Sequence, residues 1–224
     1  MAFLLALVRG LVVSSELVCQ RPGFKSHQRH KNVSVTFGAH VGTWITSSGT
    51  LKDIKMSSTK IGQDDLLSKL AEWNIQTETI EHPQVFTVEQ ALPYLEKREG
   101  KFAKNLFLKD KKKRLYLFCA PHDAEIKLND LTKLVGATGG LRFADSSVLE
   151  EKLGIQQGSV SVFGIINDTE NEVKLVLDQH LLDQTYSKIW FHPMVNSATT
   201  SISPTDLKTF IDHTNHEALI VDLS

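Results

Sequence analysis

Cysteine, proline and long apolar runs are all scarce in this chain. Its 224 residues contain two cysteines, Cys19 and Cys119, too few for a disulfide framework or a four-thiolate zinc site. No apolar run approaches the roughly 20 residues of a bilayer-spanning helix, so no membrane partner is expected. Repeats and low-complexity tracts are missing too. The balance of 25 basic against 26 acidic side chains excludes a strongly charged chain. What is present is a 41% hydrophobic fraction, enough to bury a core and to exclude disorder throughout.

The near-zero charge conceals an asymmetry. Residues 1–55 hold seven basic and two acidic side chains, which leaves 18 basic and 24 acidic in 56–224. That change marks a boundary. Residues 1–55 carry no sustained period of 2 or 3.6, and Arg9 interrupts the apolar start. Two readings stay open for them: a disordered or non-native extension with Met56 as the true start, or an arginine-containing mitochondrial presequence. Cytoplasm is the expected location under the first reading and the mitochondrion under the second.

From Met56 onward local signals agree with one another. Leu66, Leu67, Leu70 and Trp73 share a helical face. Gln76–Glu81 alternates as a strand, and Thr87 with Gln90 forms a capping box for a helix over Val88–Leu95. Leu106–Leu108 and Leu115–Cys119 read as strands joined by a charged turn. Asn129 is placed to cap a helix ending at Gly136, and Ser147 with Glu150 to start one ending at Gly154. Val160–Ile166 is apolar and β-rich, Val173–Leu177 is a strand, and Ser203-Pro204 opens a helix that ends near His213. Leu219–Val221 closes the chain as a strand. Helices interleaved with strands and hairpins predict a single mixed α/β (α+β) domain over 56–224.

Most catalytic signatures are missing. Gly136-Ala137-Thr138-Gly139-Gly140 fits neither nucleotide-binding fingerprint and reads as a helix end and turn. The pairs His27/His30 and His213/His216 lack carboxylates at metal-binding spacing, so no metal is expected. Cys119 ends an apolar strand and reads as a buried small hydrophobe, with His122 nearby in sequence. An enzyme built this way works without metal, cofactor or triad, and therefore on an activated substrate. Three segments remain. Lys104-Asn105 precedes an apolar strand, where a cation and an amide can enter a cleft. Gly158-Ser159-Val160-Ser161-Val162-Phe163-Gly164 has glycines at both ends that permit close approach of a ligand. Phe191-His192-Pro193 with Asn196 and Thr199 mixes an aromatic, an imidazole and small polar groups.

In this order, together with His82-Pro83, Val85-Phe86-Thr87-Val88-Glu89, Leu153-Gly154-Ile155 and Asn167-Asp168, the segments resemble the prolyl-tRNA-synthetase-associated editing domain, the YbaK/ProX family of aminoacyl-tRNA deacylases. The likeness spans about residues 57–224. It implies a YbaK/ProX-like mixed β-sheet with helices packed around it, and no cofactor. It is strongest to the free-standing branch that removes alanine from proline tRNA, which implies a mischarged tRNA as partner, an aminoacyl-tRNA synthetase as a second, and no DNA. Carried over residue by residue, it implies catalytic roles for Lys104, Asn105, Gly158 and His192. Ser159, Val160, Ser161, Val162, Phe163, Gly164 and Asn196 would hold the aminoacyl group. Lys109, Lys111, Lys112, Lys113 and Arg114 form the one concentrated basic patch for tRNA phosphates, in a domain whose overall charge is negative. One position departs from the family: its loop commonly reads Gly-x-x-x-Pro, and Val162 stands at the proline. Two readings follow, a trans-acting deacylase and a hydrolysis-impaired tRNA- or synthetase-binding module.

Overall fold

The computed structural model describes residues 60–95 and 98–223; the extension expected over 1–55 lies outside them. In chain order the elements are α1 (Gln63–Glu72), β1 (Glu78–Glu81), α2 (Val88–Leu95), β2 (Lys101–Lys109), β3 (Leu115–Pro121) and α3 (Leu128–Leu134). They continue with β4 (Arg142–Phe143), α4 (Ser146–Leu153), a 3-10 helix (Val162–Asn167), β5 (Val173–Asp178) and a short 3-10 turn (Gln179–Leu182). Last come β6 (Ile189–Phe191), β7 (Ala198–Ile202), α5 (Pro204–His213) and β8 (Ala218–Val221). Eight strands form one mixed sheet in the order β1-β7-β6-β2-β3-β5-β8, with β4 added to β2. None of the described helices is long and apolar enough to cross a membrane.

Strand β3 explains the layering. All seven of its residues are buried, because both faces of the sheet are covered. Leu117 and Cys119 join the larger core, with Leu66 and Leu70 of α1, Leu153 of α4, Phe163, and Phe210 of α5. Tyr116, Phe118 and Ala120 face the opposite cluster under Leu131 of α3. This is the period-2 alternation of a strand, doubled by burial on both sides. Cys119 is wholly buried, and desolvation pushes its thiol pKa up, so it is inert packing.

The tight β2–β3 turn is held by Asp110. Burial alone would raise its pKa, but N–H groups of Thr138 and Arg114 and the Arg114 guanidinium donate to the carboxylate and bring it down to about 2. Elsewhere real caps match expectation. Asp206 N–H donates to Ser203 Oγ at 3.0 Å with Pro204 in the first turn of α5. Gln90 N–H reaches Thr87 Oγ1 while Gln90 Oε1 accepts from Phe86 N–H at 2.8 Å.

Four local expectations need correction. Lys104-Asn105 sits inside β2, not at its entrance, because pairing with β3 runs from Ala103↔Pro121 to Lys109↔Leu115. Asn129 and Ser147 lie inside α3 and α4, whose N-caps are Lys127 and Asp145. Val160–Ile166 contains no strand: Ser161 Oγ accepts from Phe163 N–H and starts a 3-10 helix at Val162. That helix packs so closely on the end of α4 and the residues after it that a Cβ at Gly164 would stand 3.3 Å from Leu153 Cβ and 2.3 Å from Ile155 Cδ1. A β-rich composition here reflects burial, not pairing.

Candidate active site

The site is a split in the sheet along β2. The first residues of β2 pair with β6 (Lys101↔Ile189, Phe102↔Trp190). Its last two pair with β4 (Leu108↔Phe143, Lys109↔Arg142). Between them, residues 103–106 have no ladder partner on that side, while β3 holds the other. The gap opens into a cavity of about 330 Å³. Successive strand residues point to opposite faces; at an unpaired edge the cavity wraps around the strand, so Lys104 and Asn105 both line it.

Lys104 Nζ donates to the Ala124 carbonyl at 2.9 Å. That bond aims the ammonium while leaving two of its three donors available. Beside it, Asn105 Oδ1 is buried without a hydrogen-bond partner, and so is His122 Nδ1. His122 N–H donates to the Phe102 carbonyl at 2.8 Å, which ties the end of β3 to the floor of the cavity. Leaving such an atom buried and unpaired costs about 1–3 kcal/mol, and two of them share this cleft.

His192, which follows β6, faces the same space. Its Nδ1 donates to the Ala198 carbonyl at 2.9 Å, which fixes the tautomer and leaves Nε2 with a lone pair. Burial holds the His192 pKa below the ordinary histidine value and the nearby His82 ring adds to this, while the bond to Ala198 acts the other way. His82 is itself locked between the Pro83 carbonyl and Thr199 Oγ1, each at 2.8 Å. Its ring lies 6.1 Å from that of His192 and stacks on Tyr94.

Gly158 and Val160 form the opposite wall, with Phe86 and Thr87 at the entry of α2. Gly158 has φ of +93°, and a Cβ there would meet the Phe86 ring at 3.1 Å and Asn196 Nδ2 at 3.5 Å. The position therefore requires glycine. Phe86 is 66% exposed, an aromatic face presented at the rim.

The structure thus brings Lys104, Asn105, Gly158, Val160 and His192 to one cleft. Ser159 and Asn196 are buried beside it, and the Asn196 carbonyl accepts from Val85 N–H to tether the entry of α2. Ser161, Val162, Phe163 and Gly164 lie behind the wall in the core, not on the cavity surface. In the basic patch, Lys109 pairs with Asp145 and Arg114 with Asp110. Lys111, Lys112 and Lys113 are exposed at the hairpin tip. Five residues of strand separate Lys104 from Lys109, roughly 16 Å. Sequence reasoning did not count Phe86, Thr87, Phe102 or His122 among the site residues. The hairpin register is the signal that finds His122: extending Ala103↔Pro121 by one step sets it opposite Phe102.

A larger groove of about 810 Å³ lies where Lys174 and Leu175 of β5 meet His216 and Leu219. None of the residues with an orphaned buried polar atom lines it. His216 there is paired with Asp168 at 3.3 Å.

Comparison with known proteins bears on the family and the fold. The chain is 45% identical over 159 residues to prolyl-tRNA synthetase associated domain-containing protein 1 of Bos taurus, covering 70% of this chain and 92% of that one. It is 37% identical over 147 residues to prolyl-tRNA editing protein ProX of Acetoanaerobium sticklandii, covering 65% and 88%. A solved structure described as a candidate trans-editing enzyme for prolyl tRNA synthetase shares the fold, with a TM-score of 0.57 at 22% identity over 75% of this chain and 99% of that one. The family model for the aminoacyl-tRNA editing domain matches residues 82–210, which hold every element that lines the cleft. The chain belongs to the aminoacyl-tRNA editing domain family.

Proposed function

We propose that the chain is a trans-acting aminoacyl-tRNA deacylase whose substrate is alanyl-tRNA(Pro). The observation that carries this reading is the split edge of β2, which sets a cation and a free imidazole nitrogen in one small cleft. An aminoacyl ester is already activated, so positioning, a water and charge stabilisation suffice. His192 Nε2 accepts a proton as water oxygen bonds to the ester carbon. The Lys104 ammonium offsets the charge that develops on the carbonyl oxygen or on the adjoining phosphate. The C–O bond to the ribose then breaks, and the proton held by His192 goes to the leaving oxygen. Phe86 at the rim offers the terminal adenine a stacking face.

Val160 narrows the wall opposite Lys104, which favours a small acyl group. Deacylation measured across alanyl-, glycyl- and prolyl-tRNA(Pro) tests this. Alanyl ester is expected to react fastest and glycyl within about a hundredfold, since one methyl discriminates only about 10- to 200-fold. Prolyl ester is expected to survive, and its hydrolysis at the alanyl rate would refute the assignment.

In this reading the exposed tip lysines Lys111, Lys112 and Lys113 would meet phosphates of the tRNA whose 3′ end occupies the cleft. Replacing all three with glutamine is expected to weaken tRNA binding and to flatten the slope of log affinity against log salt by about 2 to 3. An unchanged slope would remove the tip from the interface.

The second reading, a binding module with impaired hydrolysis, rests on Val162. Its position speaks against impairment. Val162 is the first residue of the 3-10 helix and is wholly buried. At a first helical position proline's fixed φ is accepted and its missing N–H costs little. Valine therefore occupies a slot that proline also fits, away from the cavity surface.

A further inference from the structure

Resting on the deacylase reading above, we infer that Asp178, outside the cleft, is a positioning residue for Lys104: its buried carboxylate holds the ammonium on the Ala124 tether, so that the charge is fixed in place before substrate arrives. The starting observation is a carboxylate with one oxygen unused. Asp178 is 1% exposed. Its Oδ1 accepts from the His180 N–H at 2.9 Å, lies 2.7 Å from His180 Nδ1, and so caps the 3-10 turn after β5. Its Oδ2 is buried with no hydrogen-bond partner, the one carboxylate oxygen among the described residues of which this is true. Capping needs a single oxygen, and asparagine or serine supplies one as well as aspartate does. The charge and the second oxygen therefore call for another reason, since a buried charge is costly unless a positive group offsets it.

The sheet register brings that positive group. Lys104 of β2 is paired with Ala120 of β3. Strands β3 and β5 are in register up to Cys119↔Leu177, and one step further sets Asp178 beside Ala120. Asp178 is in turn paired with Val221 of β8. Residues side by side on neighbouring strands project from the same face, so Lys104, Ala120, Asp178 and Val221 form one row. Packing gives the same face independently: Ala120 and Val221 belong to the cluster under α3, and so do Val176 and Leu106, two residues along from Asp178 and Lys104. Lys104 and Asp178 are thus two strand spacings apart, roughly 10 Å between Cα atoms, with only the Ala120 methyl group between them in the row. The Lys104 ammonium is bonded to the Ala124 carbonyl, in the turn that follows β3 and is closed by Ala124 N–H donating to the Pro121 carbonyl at 3.1 Å. Lys174 shares the face of Asp178 but stands opposite Tyr116, with its ammonium 6.0 Å from the centre of that ring. A buried negative charge acts across such a span because little water screens it. Here it opposes escape of the ammonium to solvent, and a donor fixed beforehand costs no reorganisation when charge develops on the ester.

The test is a double-mutant cycle on alanine release from alanyl-tRNA(Pro), with kcat and KM measured separately for the native protein, Asp178→Asn, Lys104→Ala and the double variant. Asparagine keeps an oxygen for the His180 N–H and removes the charge. Asp178→Asn is expected to lower kcat about tenfold with KM within about twofold, and to cost nothing further once Lys104 is alanine. A general loosening of the fold would instead multiply with the Lys104→Ala loss. Asp178→Ser, which also caps, is expected to behave as Asp178→Asn does and stands in for it if the asparagine variant does not fold. A second readout needs no turnover: the ammonium signal of Lys104 in a proton–nitrogen correlation spectrum, identified by its absence from Lys104→Ala, is expected to shift in Asp178→Asn. A folded Asp178→Asn protein with the native kcat overturns the inference, and so does a loss that multiplies with that of Lys104→Ala. No alanine release by the native protein overturns the deacylase reading. In that event a Lys104 signal that still shifts upholds the positioning, and one that stays in place overturns it as well.

Discussion

Lys104→Ala is expected to lower kcat/KM for alanyl-tRNA(Pro) by a hundredfold or more, the scale on which a preorganised charge-stabilising donor acts. Two features make the loss large. The ammonium is held by the Ala124 carbonyl at 2.9 Å, so it is aimed before substrate arrives. It also sits on the stretch of β2 that is paired with β3 on one side but has no ladder partner on the other. Stability should change little, because the side chain is partly exposed and its one hydrogen bond is to a partly exposed carbonyl. Lys104→Arg should not rescue the rate, since a planar fork on a longer stem cannot reproduce that single tether. Release of labelled alanine, with melting temperature as the control, decides it. A folded Lys104→Ala protein at the native rate would place the chemistry elsewhere.

Removing His192 is the second large effect. His192→Ala should cost about a hundredfold in kcat/KM, within the range for loss of a general base. The pH profile carries the more specific expectation. Burial, aided by His82, lowers the His192 pKa below 6.5, so the imidazole stays neutral and able to accept a proton down to mildly acidic pH. The native kcat/KM is therefore expected to fall on the acid side with a midpoint below the ordinary histidine value, as Nε2 becomes protonated. In His192→Ala that acid limb should be absent from the residual activity. A limb with a midpoint above 6.5, or one that survives the substitution, would mean that another group takes the proton.

Features governed by local chemistry were legible in the sequence. The Ser203-Pro204 start of α5, the Thr87/Gln90 box and the apolar face of α1 depend on residues three or four apart, and each stands where that spacing puts it. The 158–164 segment was legible only in part. Its glycines mark close approaches, but its conformation is set by Ser161 bonding two residues onward and by Gly164 lying against Ile155. Both are packing facts that β propensity does not contain. The same limit applies to the cleft. Lys104, Asn105, Gly158 and His192 stand out as residue types, whereas Phe86 and His122 acquire meaning only once β2 is left unpaired between β6 and β4. That gap is a property of the sheet and not of any segment.

The central claim is that this cleft hydrolyses an aminoacyl ester and does more than bind it. The most direct measurement is alanine release from alanyl-tRNA(Pro) with protein well below substrate, for the native chain beside Val162→Pro. Many turnovers per native molecule are predicted, with the Val162→Pro rate within about threefold, because a first helical position accepts either residue. Stoichiometric binding without turnover by the native chain, with turnover appearing only in Val162→Pro, would contradict the account and identify the protein as a binding module of the same fold.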